Sequence, residues 1–265
     1  QEVGRLYKEL VIEKKKAAAV TEFTHVQPIL ERRPEAARMG ADVLRWGAQE
    51  GKTKFAGIVA AGGTGSGLKY PHSKGMLPAT PLSNKSLYLA LIEKMRAAAR
   101  AYGHRKMYPF VFMLSNKTEA ETIAFLQSLD IWNEVKDRII FVTQKHLPAL
   151  LRKPGTPEDG RAVLQSASRL NLGGVGHGDA LDYVLNPGEK AAGKVWSNEK
   201  NDFIDAGAVE WLESFGVEYV QYMNVDNLLT PIADKYLVGE HVLSRDFEIE
   251  KEGRAHISLV MIRKI

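Results

Sequence analysis

Short apolar runs alternate along this chain with longer segments in which apolar residues recur at helical spacing. Four runs contain almost no charge and predict buried strands at residues 55–61, 109–114, 139–142 and 217–223. Helical patterns cover residues 34–50, 86–102, 118–129 and 205–215, the first with Met39, Val43, Leu44 and Ala48 on one face. Strands without polar alternation, separated by helices, indicate an α/β fold with a mostly parallel, Rossmann-like sheet covered by helices.

The segments outside this alternation are more polar. Residues 1–33 predict an N-terminal helical segment, and residues 34–265 predict a single domain with no internal boundary. Proline and glycine are frequent in residues 152–175, which we expect to form a surface loop, and residues 189–202 read as a second loop. A short helix is expected over 179–185, and the apolar run at 257–262 predicts a last strand.

Composition narrows the functional classes. The absence of cysteine excludes zinc–thiolate sites and thiol catalysis and is compatible with a reducing cytoplasm, the location we expect. No apolar run approaches the roughly 18 residues of a membrane span, so no membrane partner is predicted. The formal net charge is +4, but the basic residues are scattered among acidic ones rather than gathered into a stripe. Nucleic acid is therefore not a predicted partner, and binding of other polyanions is a minor hypothesis.

The first apolar strand leads directly into a glycine-rich loop. Gly62, Gly63, Gly65 and Gly67 follow Ala61, and Lys74 adds a compact positive charge a few residues later. Glycines allow backbone N–H groups to approach a phosphate or the edge of a base closely. The loop therefore predicts a phosphorylated ligand, most simply a nucleotide, although a glycine-rich turn without a ligand is the alternative.

Two familiar phosphate loops do not match this stretch. A Walker A loop needs Gly-Lys-Ser/Thr with another glycine five residues before that Gly; Gly51-Lys52-Thr53 has Trp46 there and precedes the strand. A dinucleotide fingerprint needs a glycine where Leu68 stands and an acidic residue roughly 20 positions further on, where the chain reads Leu-Ser-Asn-Lys. A nicotinamide-dependent dehydrogenase is therefore disfavoured.

The loop and several motifs that follow it resemble those of the UDP-sugar pyrophosphorylases, the UTP-dependent sugar-1-phosphate uridylyltransferases. The resemblance covers residues 38–242 and rests on collinear motifs: Ala61-Gly62-Gly63-Thr64-Gly65-Ser66 with Lys74-Gly75-Met76, Leu82-Ser83-Asn84-Lys85, Met113-Leu114-Ser115-Asn116, Gln144 with Leu147-Pro148, Gly176-His177-Gly178-Asp179, and Asn224-Val225-Asp226-Asn227. It implies a nucleotidyltransferase domain, GT-A-like, over residues 34–265, incomplete at its C-terminal end. Gly67 stands where many members have an arginine, and two residues separate Pro71 from Lys74, which are adjacent in many members.

The resemblance also implies roles for individual residues. Nucleotide contacts are expected from Ala61, Gly62, Gly63, Gly65, Lys74, Gln144, Gly176 and Asn224. Gly176 would lie against the uracil ring, Gln144 would read its edge, and His177 would lie near the sugar phosphate. Asp226 follows a buried strand, where a carboxylate can ligate Mg²⁺ or simply cap the next turn. Lys74 and Asp226 are the predicted catalytic residues, with Mg²⁺ as cofactor.

The implied reaction is attack of a sugar-1-phosphate on the α-phosphorus of UTP, which expels pyrophosphate. The nucleophile is already anionic, so positioning and charge neutralisation suffice. A catalytically silent nucleotide-binding or UDP-sugar-binding module is the alternative, favoured by Gly67 and by the early end of the chain relative to the family. Because family members continue past Ile265, we expect this chain to bind nucleotide but to turn over poorly. The motifs do not decide which sugar-1-phosphate is the substrate. Val225 and Lys74-Gly75-Met76 resemble the N-acetylglucosamine branch, whereas Gly176-His177 and the missing arginine resemble the glucose branch.

Overall fold

The computed structural model describes residues 33–151, 153, 155–166, 169–174 and 192–252. The described residues fall into two compact units, one containing residues 33–144 and 192–252 and the other containing the described residues between 145 and 174. The predicted N-terminal segment, the helix at 179–185 and the strand at 257–262 lie outside the described residues. The division into a segment 1–33 and a domain 34–265 stays a prediction.

The larger unit contains a six-stranded sheet in the order β10-β1-β2-β3-β8-β9. Its strands are β1 (Phe55–Ala60), β2 (Phe110–Leu114), β3 (Ile139–Thr143), β8 (Ala192–Ser197), β9 (Asp202–Gly207) and β10 (Tyr219–Asn224). Strands β10, β1, β2 and β3 pair in parallel, whereas β8 and β9 are antiparallel. The expected α/β fold with a mostly parallel sheet is confirmed.

The α-helices among the described residues of this unit are α1 (Pro34–Arg45), α2 (Leu87–Ala101), α3 (Glu119–Gln127), α4 (Trp132–Val135), α5 (Ala208–Phe215) and α6 (Lys235–Glu252). Ser86 caps the N-terminus of helix α2, because its side chain accepts a hydrogen bond from the Leu89 N–H. The core between helices and sheet is dense in aromatic rings, and Tyr88, Phe110 and Phe112 are fully buried. No helix among the described residues is both long and apolar enough to cross a membrane.

The antiparallel hairpin of β8 and β9 corrects two predictions. Residues 189–202 were expected to form a loop and 205–215 a helix, but Ala192–Ser197 and Asp202–Gly207 are strands, and the helix begins only at Ala208. Trp196 and Phe203 pair directly across the hairpin and pack edge to face. Aromatic cross-strand pairs stabilise a ribbon whose outward residues are polar, and this alternation hides the strands from a search for apolar runs.

The described residues of the smaller unit contain four short strands, three of them in the segment that was expected to be a loop. Strand β4 (His146–Pro148) pairs antiparallel with β7 (Leu172–Gly174), and β5 (Leu164–Ser166) pairs with β6 (Arg169–Leu170). The prediction of a loop over 152–175 is therefore wrong for residues 164–166 and 169–174. Strands this short carry too few residues to show a periodic pattern.

Helix α1 buries Leu44, as its pattern indicated, but its other buried residues are small. Ala36, Gly40, Ala41 and Leu44 are buried, whereas Met39 and Val43 are only partly covered and the helix ends at Arg45, before Ala48. The reason is close packing against α6. A Cβ added at Gly40 would lie 1.9 Å from the Lys235 carbonyl oxygen, and one added at Gly239 would lie 1.7 Å from that of Ala36.

This crossing makes a stability prediction. We expect Gly40→Ala to lower the free energy of unfolding by about 1–3 kcal/mol, because the added methyl group forces two backbones apart. That loss corresponds to a fall of roughly 2–4 °C in the thermal midpoint per kcal/mol for a chain of this size. Gly67→Ala is the matched control, since a Cβ there meets nothing within 4 Å. Equal midpoints for the two variants would contradict the proposed contact between α1 and α6.

Candidate active site

The carboxyl ends of the four parallel strands meet along one edge of the sheet. The ladder continues past them: the Ala61 N–H donates to the Met113 carbonyl oxygen at 2.8 Å, and the Gln144 N–H donates to that of Leu114, also at 2.8 Å. The Val225 N–H donates to the Ala60 carbonyl oxygen at 3.2 Å. Predicted site residues from three distant parts of the sequence are therefore held beside one another, at the edge where α/β sheets bind ligands.

Two glycines of the loop, Gly62 and Gly65, approach their neighbours closely. A Cβ at Gly62 would lie 3.0 Å from the Gln144 Nε2 atom and 3.2 Å from the Ser115 N–H nitrogen. Gly65 has φ +68°, and a Cβ there would lie 2.5 Å from the His72 carbonyl oxygen. The structure thus brings Gly62 and Gln144 together, as expected for two residues that contact one ligand.

Lys74 and Asp226 form an ion pair across this edge. The Lys74 N–H donates to the Gly63 carbonyl oxygen at 2.9 Å, which folds the loop back onto the glycines. The Lys74 Nζ atom lies 3.0 Å from the Asp226 Oδ2 atom, and the side chains are 31% and 47% exposed. Two predicted catalytic residues 152 positions apart are therefore adjacent and accessible to a ligand.

A single carboxylate suits the expected metal. The described residues contain no group of three or more His, Cys, Asp or Glu side chains that could hold a metal ion. Mg²⁺ bound to nucleotides needs only one or two protein carboxylates, because phosphate oxygens and water complete its octahedron. The exposed carboxylate of Asp226 fits that requirement, while the Mg²⁺ site itself stays a prediction.

The other predicted residues differ in how far the structure locates them. Asn224 ends β10 beside Ala60, and its side chain is exposed at the same sheet edge. Gly63 lies beside the aliphatic stem of Lys74, where an added Cβ would be 3.7 Å from the Cε atom. Gly176 and His177 lie outside the described residues.

Sequence analysis missed a charged group next to Gln144. Glu119, at the start of α3, accepts hydrogen bonds from the Thr143 hydroxyl at 2.8 Å and from the Lys194 ammonium group. Burial tends to raise the pKa of Glu119, but these two donors outweigh it, and the pKa lies below its usual value. Glu119 therefore stays ionised and links α3 and β8 to the end of β3. Glu119, Thr143 and Lys194 are too far apart in the sequence to form a motif.

A second missed group is buried below the glycine loop. The Tyr88 hydroxyl lies 2.8 Å from the Ser73 Oγ atom and donates to the Ala61 carbonyl oxygen at 3.3 Å. The Thr122 hydroxyl is within 3.3 Å of both hydroxyl oxygens, and the Ser73 N–H donates to the Glu121 carboxylate at 2.7 Å. A tyrosine on the apolar face of a helix reads as an ordinary core residue, so only its position beneath the loop reveals this role.

Comparison with known protein families shows which family the chain belongs to. The sequence model of the UTP–glucose-1-phosphate uridylyltransferase family matches residues 2–188. The chain belongs to this family. The resemblance to UDP-sugar pyrophosphorylases inferred from the motifs is confirmed.

Over the residues that align, known relatives are about a quarter identical to this chain. UDP-N-acetylglucosamine pyrophosphorylase of Saccharomyces cerevisiae is 28% identical over 219 residues, which cover 80% of this chain and 40% of the yeast protein. Human UDP-N-acetylhexosamine pyrophosphorylase-like protein 1 is 27% identical over 222 residues, which cover 80% of this chain and 39% of that protein. The chain thus spans about two fifths of the length of these relatives.

Solved structures show the same fold. The uridine diphosphate N-acetylglucosamine pyrophosphorylase of Trypanosoma brucei superposes with a TM-score of 0.65 at 23% identity, covering 92% of this chain and 46% of the other. A mutant of the UDP-glucose pyrophosphorylase of Leishmania major superposes with a TM-score of 0.60 at 16% identity, covering 92% of this chain and 44% of the other. The nucleotidyltransferase fold predicted from the motifs is confirmed.

Proposed function

We propose that the protein transfers UMP from UTP to a sugar-1-phosphate, either glucose-1-phosphate or N-acetylglucosamine-1-phosphate, and releases pyrophosphate. The observation that carries this proposal is the Lys74–Asp226 pair, which is 3.0 Å apart beside the glycine loop. A cation and a carboxylate at the carboxyl edge of a parallel sheet suit a ligand rich in phosphate oxygens. Membership of the uridylyltransferase family supports this reading.

This reaction requires the protein to position the two substrates and to neutralise phosphate charge, and it requires no proton transfer. A sugar-1-phosphate oxygen forms a bond to the α-phosphorus of UTP while the bond to the pyrophosphate oxygen breaks, and no proton needs to move. Lys74 would donate hydrogen bonds to phosphate oxygens, whose negative charge increases on the leaving group. Asp226 would hold Mg²⁺, which when bound neutralises the crowded phosphates.

The base would be bound by the Gly62 backbone and the Gln144 side chain together. The Gln144 side chain carries both a donor and an acceptor, which match the alternating acceptor and donor groups on the uracil edge. An added Cβ at Gly62 would lie only 3.0 Å from the Gln144 Nε2 atom, so the backbone and the amide face one small space. Both groups would therefore contact the same base, and the donor and acceptor of Gln144 would pair with the edge of uracil.

We therefore expect UTP to bind more tightly than ATP, GTP or CTP. Polar groups left unpaired by the wrong ligand can give discrimination of several orders of magnitude. Competition against a fluorescent UTP analogue, with the wild-type chain and with Gln144→Leu, measures both the preference and its origin. Equal affinities of ATP and UTP for the wild-type protein would contradict the assignment.

The sugar specificity rests on fewer residues than the sequence motifs indicated. Val225, one of the two features that resembled the N-acetylglucosamine branch, is only 3% exposed and belongs to the hydrophobic core. A core valine cannot select a sugar by direct contact. The curated relatives described above carry N-acetylglucosamine or N-acetylhexosamine in their names, whereas the family model carries glucose; both sugars therefore stay in the proposal.

Pyrophosphate release measured with UTP, Mg²⁺ and a panel of sugar-1-phosphates tests the proposed function. We expect release with glucose-1-phosphate or N-acetylglucosamine-1-phosphate above the rate of the Asp226→Asn variant, which serves as the matched blank. If the protein bound UTP but released no pyrophosphate with any sugar-1-phosphate of the panel, it would be the silent binding module instead. Saturable binding of NADH, followed by fluorescence, would support the dehydrogenase alternative.

A further inference from the structure

Helix α2 lies beneath both residues of the proposed catalytic pair. Tyr88 is in its first turn and Lys94 is six residues further on, about 9 Å along the helix axis. The side chain of Tyr88 contacts the loop that carries Lys74, and the side chain of Lys94 contacts the loop that follows Asp226. Within the described part of the chain, neither side chain hydrogen-bonds to the other loop, so the two contacts are separate.

Tyr88 fixes the residues on both sides of Lys74. Its hydroxyl lies 2.8 Å from the Oγ atom of Ser73, the residue before Lys74, and Ser73 is completely buried. Its ring packs against Gly75, the residue after Lys74, so closely that an added Cβ would lie 2.1 Å from the ring Cζ atom. The backbone of Lys74 is thus held at two points by one rigid aromatic side chain.

The hydroxyl of Tyr88 remains a neutral hydrogen-bonding group. Burial raises the pKa of Tyr88 above its ordinary value, although hydrogen bonds to Ser73 and Thr122 oppose the shift. Its donation to the Ala61 carbonyl oxygen also connects the end of β1 to the same side chain. One buried hydroxyl therefore links the start and the end of the glycine loop.

Lys94 fixes the loop after Asp226 in a different way. Its Nζ atom donates to the Leu228 carbonyl oxygen at 2.6 Å and to the Thr230 carbonyl oxygen at 2.7 Å. These carbonyls lie two and four residues beyond Asp226, in a loop that leaves the sheet. Both are hydrogen-bonded to a charged donor, and such bonds are stronger than those between neutral groups.

We propose that α2 is the positioning element of the active site, with Tyr88 and Lys94 as positioning residues that set the separation of Lys74 and Asp226. The proposal rests on the proposed function, because positioning matters only if this pair acts on phosphates. Neither side chain contributes a charge or a reacting atom to the pair itself. Misplacement of a catalytic group by about 1 Å can lower turnover roughly 100-fold, so anchors on one rigid helix are a means of control.

The variants Tyr88→Phe and Lys94→Met test this role. Phenylalanine keeps the ring against Gly75 but removes the hydroxyl, and methionine keeps the stem of Lys94 but removes the ammonium group. We expect each to lower kcat roughly 10- to 100-fold, while the KM for UTP stays close to the wild-type value because the base-reading residues are unchanged. A loss of folded protein would lower kcat and nucleotide binding sites in the same proportion.

Two controls match these changes. Tyr108→Phe also removes a buried tyrosine hydroxyl, one that donates to the Leu44 carbonyl oxygen at 2.8 Å, away from the loop. Arg96→Met removes a cation from the same helix, one that pairs with Glu134. Both should cost comparable stability, as measured by thermal midpoint, and both should leave kcat near the wild-type value.

Amide hydrogen exchange provides a readout that does not depend on catalysis. We expect exchange in residues 62–76 to accelerate at least about tenfold in Tyr88→Phe, and exchange in residues 225–232 to accelerate similarly in Lys94→Met, because each loop opens locally. The controls should accelerate neither segment. Unchanged exchange in these segments, or a kcat no lower than that of the controls, would overturn the positioning role. Absence of turnover in the wild-type protein would instead refute the proposed function, and exchange alone would then decide whether α2 anchors the loops.

Discussion

Replacing Asp226 with asparagine is expected to reduce pyrophosphate release by about 100-fold or more and to raise the Mg²⁺ concentration needed for half-maximal UTP binding. Asparagine keeps the shape of the side chain but removes the charge that would hold the ion and that pairs with Lys74 at 3.0 Å. Both partners of this pair are substantially exposed, so its loss should cost no more than about 1 kcal/mol of stability. Steady-state turnover, Mg²⁺ titration and thermal midpoint together test the prediction.

The control for Asp226 is Asp234→Asn. The Asp234 carboxylate accepts hydrogen bonds from the Tyr236 and Leu237 N–H groups at 2.8 and 3.1 Å and so caps α6. Asparagine caps helices about as well as aspartate, so this variant should be nearly silent in stability and activity. If Asp226→Asn were equally silent, Asp226 would be a turn cap and would have no place in the site. A fall in thermal midpoint much larger than that of the control would show instead that the carboxylate supports the fold.

Replacing Lys74 with methionine is expected to lower turnover by about 100- to 1000-fold. The variant removes the cation that would face the phosphates and leaves the aliphatic stem beside Gly63. Arginine is expected to restore little, because its planar fork differs from a compact ammonium group in size and geometry. UTP affinity should weaken less than turnover if the charge contributes mainly in the transition state. Pre-steady-state and steady-state measurements of pyrophosphate release would separate the two effects.

The chain offers a closely matched control for Lys74. Lys54 and Glu218 form an ion pair of 2.8 Å immediately before β1 and β10, so they link the same two strands at the opposite edge of the sheet. Their side chains are 27% and 44% exposed, close to the values for the pair at the proposed site. Lys54→Met should therefore cost the same small stability and leave turnover unchanged. Equal activity of Lys54→Met and Lys74→Met would show that the edge at the glycine loop has no special role.

The parts of the fold that follow from local pattern were predicted correctly. Strands β1, β2 and β3 are buried on both faces and β10 is largely half-buried, so their apolar runs stand out, and each was predicted to within about two residues. The hairpin of β8 and β9 was missed because its stability comes from cross-strand pairs such as Trp196 with Phe203. Helix α6 was missed because its glycine at position 239 packs against α1, and a local pattern does not show that partner.

The residues of the candidate site likewise fall into those that sequence motifs indicate and those that only the structure reveals. Lys74, Gln144 and Asp226 were located because each follows a predicted strand or loop in a motif, and the strand ends then converge by topology. Tyr88 and Lys94 were not predicted to act there. Their role depends on which loops lie above α2, and a helix pattern only distinguishes its apolar face from its polar one.

The parallel pairing of β1 with β10 affects how the protein folds during its synthesis. Phe55 through Ala60 align with Tyr219 through Asn224, so one side of β1 stays an open edge until the ribosome has made most of the chain. Such long-range closure slows folding and leaves a hydrophobic strand available to chaperones or to other nascent chains. On refolding from denaturant, helical circular dichroism should return before nucleotide binding. The strand that carries the glycine loop is made early, and its competence to bind comes late.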